Sequence, residues 1–185
     1  MKHNDDILTI KAILLYILNR VPDNRRSVYF IVKAAFCAQE SHLVRWAVPL
    51  YEDEIFALPF GPVPSTIYNI LKGARGDAHL NDVRLKEVAN CIICQEESFY
   101  ATEEADLSWL SPSAINCLDE AILSISTKTF GDLYDTTHES EEYKRAWNSK
   151  GRKIMSLVGI AKSAGANEGV LEYLSEYLEI KSALA

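Results

Sequence analysis

Apolar residues return at helical spacing in one segment after another, and that period restricts the chain to folds built mainly from helices. Ile7, Ile10, Leu14, Ile17, Leu18 and Val21 share one face, with Asp5 or Asp6 placed to cap the start and Pro22 to stop it. Ser27 is placed to cap a second helix whose face is Val28, Val32, Ala35, Phe36, Gln39 and Leu43. Tyr29, Ile31 and Ala34 widen that face, which predicts a central position. Val63, Ile67, Ile70, Leu71 and Ala74 fit a third helix, entered through a turn at Gly61-Pro62-Val63-Pro64 and ended by Gly73 and Gly76. Ser111-Pro112 opens another, with Ile115, Leu118, Ile122 and Ile125 on one face up to about Thr127. Two short helices, 129–137 and 140–147, are expected to meet near His138. After a turn at 160–164 closed by Gly165, Asn167 caps a final helix from Glu168. Its Val170, Tyr173, Leu174, Tyr177 and Leu178 are expected to dock on the core.

Helical spacing lapses twice. Pro49 and Pro59 bracket Glu54, Ile55, Phe56, Ala57 and Leu58, which suits a short extended piece. Residues 91–94 and 98–101, joined across Gln95, Glu96 and Glu97, suit a β-hairpin. The expected fold is therefore mainly α, a compact bundle of about six to eight helices with a small β-hairpin or short strands, in a single domain over residues 1–185. A chain of 185 residues, 48% hydrophobic, can stabilise such a core without disulfides or metal.

The formal net charge of -7 repels phosphate backbones and anionic membrane surfaces, so nucleic acid is a disfavoured partner. The short basic groups Arg25-Arg26, Lys144-Arg145 and Lys150 to Lys153 read as solvated faces. Asp5, Asp6 and Lys11 interrupt the apolar start of the chain, and Asn19-Arg20-Val21-Pro22 is no cleavage site for an export signal. Neither is any stretch long and apolar enough for a membrane span. These features predict a cytoplasmic protein with reduced cysteines and no membrane association.

Candidate chemistry is sparse. Cys91 and Cys94 have the spacing of redox and zinc pairs, but Cys37, Cys117, His42 and His79 are scattered singly, so no metal site is expected. His138 beside Glu139 suggests a general base, yet no nucleophile motif accompanies it. Phosphate-cradling glycine loops are absent, so no cofactor and no catalytic residue is assigned. Glu96, Glu97, Glu103, Glu104 and Asp106 read as a solvated edge around the hairpin. Tyr134, Tyr143 and Trp147 are candidate binding anchors or core fillers.

Several stretches nonetheless match one family in order and separation. Residues 33–39 resemble the second-helix segment of the SocA-like antitoxin domain, also called Panacea and found in phage-associated GepA-type proteins. Of that family's lysine-leucine pairs, Lys33 alone is matched. Glu54, Phe56 and Ala57, then Phe60-Gly61-Pro62-Val63 and Tyr68, resemble its most recognisable motif. Residues 130–133 and Thr137-His138-Glu139, with Trp147 downstream, resemble its second signature. The resemblance implies a helical, non-enzymatic antitoxin of a toxin-antitoxin system that neutralises a cognate toxin from an adjacent gene by direct protein–protein binding. Phe60, Gly61, Pro62, Tyr68, His138, Glu139 and Trp147 are then the signature positions from which partner contacts would be drawn, with Gly61 and Pro62 serving backbone shape. Homo-oligomerisation is left open. Two rivals stand beside this reading: a nucleic-acid-binding regulator with a cryptic helix-turn-helix, and a hydrolase using His138 and Glu139.

Overall fold

A computed structural model describes residues 4–184. Among them are nine α-helices and five short strands, a mainly α fold as the apolar spacing predicts. α1 (Asn4–Arg20) carries Asp5 and Asp6 in its first turn, where carboxylates complement the positive end of the helix dipole. Its buried stripe includes Ile7, Ile10, Ile13, Leu14, Ile17 and Leu18. α2 (Val28–Trp46) is the spine. Ile31, Val32, Ala34, Ala35 and Ala38 belong to a large apolar cluster with α1, while Phe36, Leu43 and Ala47 belong to a second cluster toward the C-terminal end of the chain. A helix that is apolar over most of its circumference has to be enclosed on most sides, which explains the central position.

β1 (Ile55–Leu58) and β2 (Gly61–Pro64) form an antiparallel hairpin, with Leu58 opposite Gly61 and Phe56 opposite Val63. The stretch read as a turn into a helix is thus a strand, and the turn lies one step earlier at Pro59-Phe60. Strand order β2-β1-β5, with β5 at Ile154–Met155, leaves β2 at the sheet edge, where prolines are tolerated because an outward-facing N–H is not needed. β5 covers the other side of β1.

α3 (Ser65–Arg75) follows directly and ends on Gly76 in the left-handed conformation, φ 88°. Gly73, expected as a terminator, lies inside this helix, where any Cβ would strike the Leu80 side chain. α4 (Val83–Asn90), capped by the Asp82 carboxylate, has no counterpart among the expected helices. It buries only Val88 and Ala89, too little apolar surface to leave a period in the sequence. The expected hairpin is β3 (Ile92–Gln95) with β4 (Ser98–Ala101), turning at Glu96 and Glu97, both at positive φ.

α5 (Pro112–Thr127) is capped by Ser111 and lies along α2. α6 (Phe130–Glu139) opens with a Thr129/Asp132 capping box, and α7 (Glu141–Trp147) follows after Ser140. α8 (Leu157–Ser163) precedes α9 (Glu168–Leu184), whose Val170 N–H is capped by Asn167. In α9 the docking face is Val170, Leu171, Leu174 and Leu178, with Leu174 alone fully buried. Tyr173, expected to dock, is 56% exposed. No helix among the described residues is long and apolar enough to cross a membrane.

Candidate interaction site

Lys33 occupies the inner face of α2 and is fully buried. Its ammonium donates to the Pro62 carbonyl at 3.2 Å and lies 5.5 Å from the Tyr29 ring centroid. Burial pulls its pKa down from 10.5 to about 8, because the charged form has lost its water. Gly61, at φ 97°, passes so close that a Cβ there would fall onto the Lys33 ammonium and within 2.7 Å of the Thr137 hydroxyl oxygen. The three stretches that carry the family resemblance, far apart in the chain, therefore come together where Gly61 passes Lys33 and Thr137.

Two more donors hold the same turn. The Tyr143 hydroxyl of α7 donates to the Leu58 carbonyl at 2.8 Å. His138 of α6 brings Nε2 to 3.1 Å from the Pro59 carbonyl and Nδ1 to 2.7 Å from the Tyr134 carbonyl. A ring protonated at Nε2 donates to Pro59, and the other neutral tautomer donates to Tyr134. Lys33 and Tyr143 thus fasten the Pro62 and Leu58 carbonyls of one hairpin from α2 and α7, and His138 of α6, in the tautomer protonated at Nε2, fastens Pro59 between them. Between those anchors Phe60 is turned outward and is 62% exposed.

A ladder of rings flanks this turn. Tyr29 and Phe130 lie 4.4 Å apart between centroids, Phe130 and Tyr134 stack at 6.1 Å, and Tyr134 stacks on His138 at 3.7 Å. His138 meets Tyr143 edge-on at 4.4 Å, and Tyr143 stacks on Trp147 at 6.1 Å. Phe60 closes edge-on against Phe130 at 6.3 Å. On the other side of Phe60 an apolar groove of about 400 Å³ is lined by Val28, Tyr29, Val32, Leu58, Pro59, Phe60, Val63 and Tyr68. Such a wall offers dispersion contact and little hydrogen bonding, which suits an apolar side chain of a partner.

The signature positions are thereby divided. Phe60 and Tyr68 share the groove, Gly61 and Pro62 form its backing against Lys33, and Trp147 stands at the far end of the ladder beneath the Lys153 ammonium. Glu139 is separate: it lines a polar cleft of about 310 Å³ between α2 and α6 with Cys37, Glu40, Thr136 and Ser140. Burial pushes the Glu40 carboxyl up to about 7, with Lys128 opposing, and pushes the Cys37 thiol up to about 12. Adjacent residues of a helix point about 100° apart, so His138 and Glu139 address different sides of α6.

The remaining candidates have local partners. Cys91 donates its thiol proton to the Glu87 carbonyl, Cys94 sits in β3, and all four cysteines are free thiols. Among the described residues, no group of three His, Cys, Asp or Glu side chains could hold a metal ion. Glu103 pairs with Lys11 at 2.6 Å, Glu97 pairs with Arg75, and Asp106 caps the turn at Ser108. Val28 and Val32, which build part of the groove, are not legible as site residues, because their apolar spacing is the same signal that core residues give. Phe130 lies in the second signature stretch but is not among the positions singled out for partner contact.

The sequence model described as "Antitoxin SocA-like, Panacea domain" matches residues 31–144. A search of curated proteins and a search of solved structures return no match. The matched span includes Lys33, the β1–β2 hairpin, Tyr68 and the whole of α6, and it stops before Trp147 and α9.

Proposed function

The chain belongs to the SocA-like antitoxin family with a Panacea domain, and from that membership we propose that it neutralises a protein toxin encoded by an adjacent gene, in the cytoplasm, by covering it directly and without turning over a substrate. The docking face in this reading is the groove beside Phe60 together with the exposed rings of the ladder.

One observation carries the choice of face: Phe60 is exposed although the turn bearing it is tied down by Lys33, His138 and Tyr143. Such fastening removes the ordering cost that a loose loop would incur on binding, so an aromatic held this way makes an efficient anchor. Around Phe60 the Lys33 ammonium and the Tyr143 hydroxyl are spent on the hairpin's own carbonyls, which leaves shape and apolar surface for the partner.

Co-expression tests the reading. The product of the neighbouring gene should arrest growth alone, should be tolerated in the presence of this chain, and should copurify with it. A neighbour that is harmless alone, or that stays toxic and unbound beside this chain, would overturn it.

A further inference from the structure

The C-terminal helix α9 has a second apolar face that its own core leaves uncovered. Tyr173, Tyr177, Ile180 and Leu184 follow one another at intervals of four, three and four residues. Tyr173 is 56%, Ile180 63% and Leu184 83% exposed, and together with Glu176 and Lys181 these residues line an open groove of about 360 Å³. Alternation of three and four is the spacing of a coiled-coil seam, with Tyr173 and Ile180 at d and Tyr177 and Leu184 at a. Of the docking residues, Leu171 and Leu178 fall at b and Leu174 at e, while Val170, at a, precedes the first exposed seam residue, so from Tyr173 onward the helix can keep its place on the core while the seam is covered.

The charges beside the seam select the occupant. In this register Glu176 is at g and Lys181 at the following e, five residues on. When two copies of such a helix lie parallel and in register, the g residue of each faces the e residue of the other, so Glu176 meets Lys181 twice. An antiparallel pair sets g against g and e against e, carboxylate to carboxylate and ammonium to ammonium. Lys181 already pairs with Glu52 at 2.5 Å, but its ammonium has three donors and its side chain remains 43% exposed. We propose that the Tyr173–Leu184 face of α9 is a self-association surface, on which a second copy of this chain packs its own α9 parallel and in register. The surface lies outside residues 31–144, so it is independent of the antitoxin reading.

Sedimentation and light scattering on the full chain should show a concentration-dependent dimer. Ile180→Glu should abolish it, and with it any concentration dependence of Tm, while leaving the circular dichroism spectrum unchanged, since that side chain touches little of its own core. Ile180→Cys should form a symmetric disulfide on mild oxidation, because a parallel, in-register pair brings position 180 against itself, whereas an antiparallel pairing of the whole seam sets it opposite position 177. Glu176→Lys and Lys181→Glu should each weaken self-association, and an equimolar mixture of the two variants should recover it as a mixed dimer. A monomer at every concentration, a dimer indifferent to Ile180→Glu, a dimer that resists cross-linking through position 180, or a seam that proves to hold the toxin and not a second copy would each overturn the proposal.

Discussion

The Lys33 ammonium, fully buried in the middle of α2, is tied to the Pro62 carbonyl at 3.2 Å and so holds the edge strand of a hairpin that begins some 20 residues beyond it in sequence. Neutral residues of similar length would fill the same space without a charge to desolvate. The gap between the ordinary 10.5 and about 8 corresponds to about 3 kcal/mol of cost at neutral pH.

Replacing Lys33 by Met should therefore stabilise the fold, by about 1–2 kcal/mol once the lost bond to Pro62 is set against the relieved burial. The sign of the pH dependence follows from the same shift. Between pH 8 and 10.5 the unfolded chain keeps the proton that folded Lys33 releases, so stability should climb across that window; below pH 8 both states are charged and the whole cost remains. Urea denaturation from pH 7 to 10.5 should show this slope in the parent and lose it in Lys33→Met. In the proposed docking mode the same variant should also bind the neighbouring gene product more weakly, because Phe60 would then sit on a looser turn.

Gly61 faces two penalties and Gly76 only one, which makes the pair a controlled comparison. Both have φ near 90°, but a Cβ at Gly61 strikes Lys33 and Thr137 whereas one at Gly76 has nothing within 4 Å. Gly76→Ala should cost about 1 kcal/mol from backbone strain alone. Gly61→Ala should cost about 3 kcal/mol or more, with the excess reporting the crowding between β2 and α6. Chemical denaturation of the two variants measures the difference directly.

The longer helices are legible because each buries a continuous stripe, and a stripe leaves a period in the sequence; α8, which buries only Ile160 and Ala161, reads as a turn. β2 is not legible, since Gly61-Pro62-Val63-Pro64 has the composition of a turn and becomes a strand only through β1 beside it. α4 buries two residues and leaves no period. At the site, Phe60, Gly61, Pro62 and Tyr68 could be singled out by family resemblance, but the meeting of residue 33 with residues 61 and 137 is a tertiary fact that no local pattern encodes. His138 and Glu139 misled for the complementary reason: neighbours in sequence, they are separated by the turn of the helix that contains them.

Glu40 should impose a pH dependence of opposite sign to that of Lys33. Burial raises its carboxyl from 4.5 to about 7, so between those values the folded chain holds a proton that the unfolded chain has lost. Stability contributed by this group should fall as pH rises from 4.5 to 7. Glu40→Gln, which mimics the protonated form, should flatten that part of the profile and make the protein more stable than its parent at pH 7. Thermal unfolding across this range, read by circular dichroism, provides the check.

Phe60 and Leu123 separate binding from folding most sharply. Both are exposed, at 62% and 65%, but Phe60 overhangs the groove while Leu123 lies on α5, outside it. Phe60 touches its own fold chiefly through the edge of Phe130, so Phe60→Ala should shift folding stability by about 0.5 kcal/mol or less. If the fastened turn exists to present this ring, the same change should weaken toxin binding by about 2 kcal/mol, roughly 30-fold in Kd, as truncating a central aromatic anchor does. Leu123→Ala should leave Kd unchanged, because its loss removes apolar area that no partner covers. Isothermal titration with the neighbouring gene product distinguishes the two variants, and equal Kd values for both would remove Phe60 from the interface while leaving the fold and the family membership as they are.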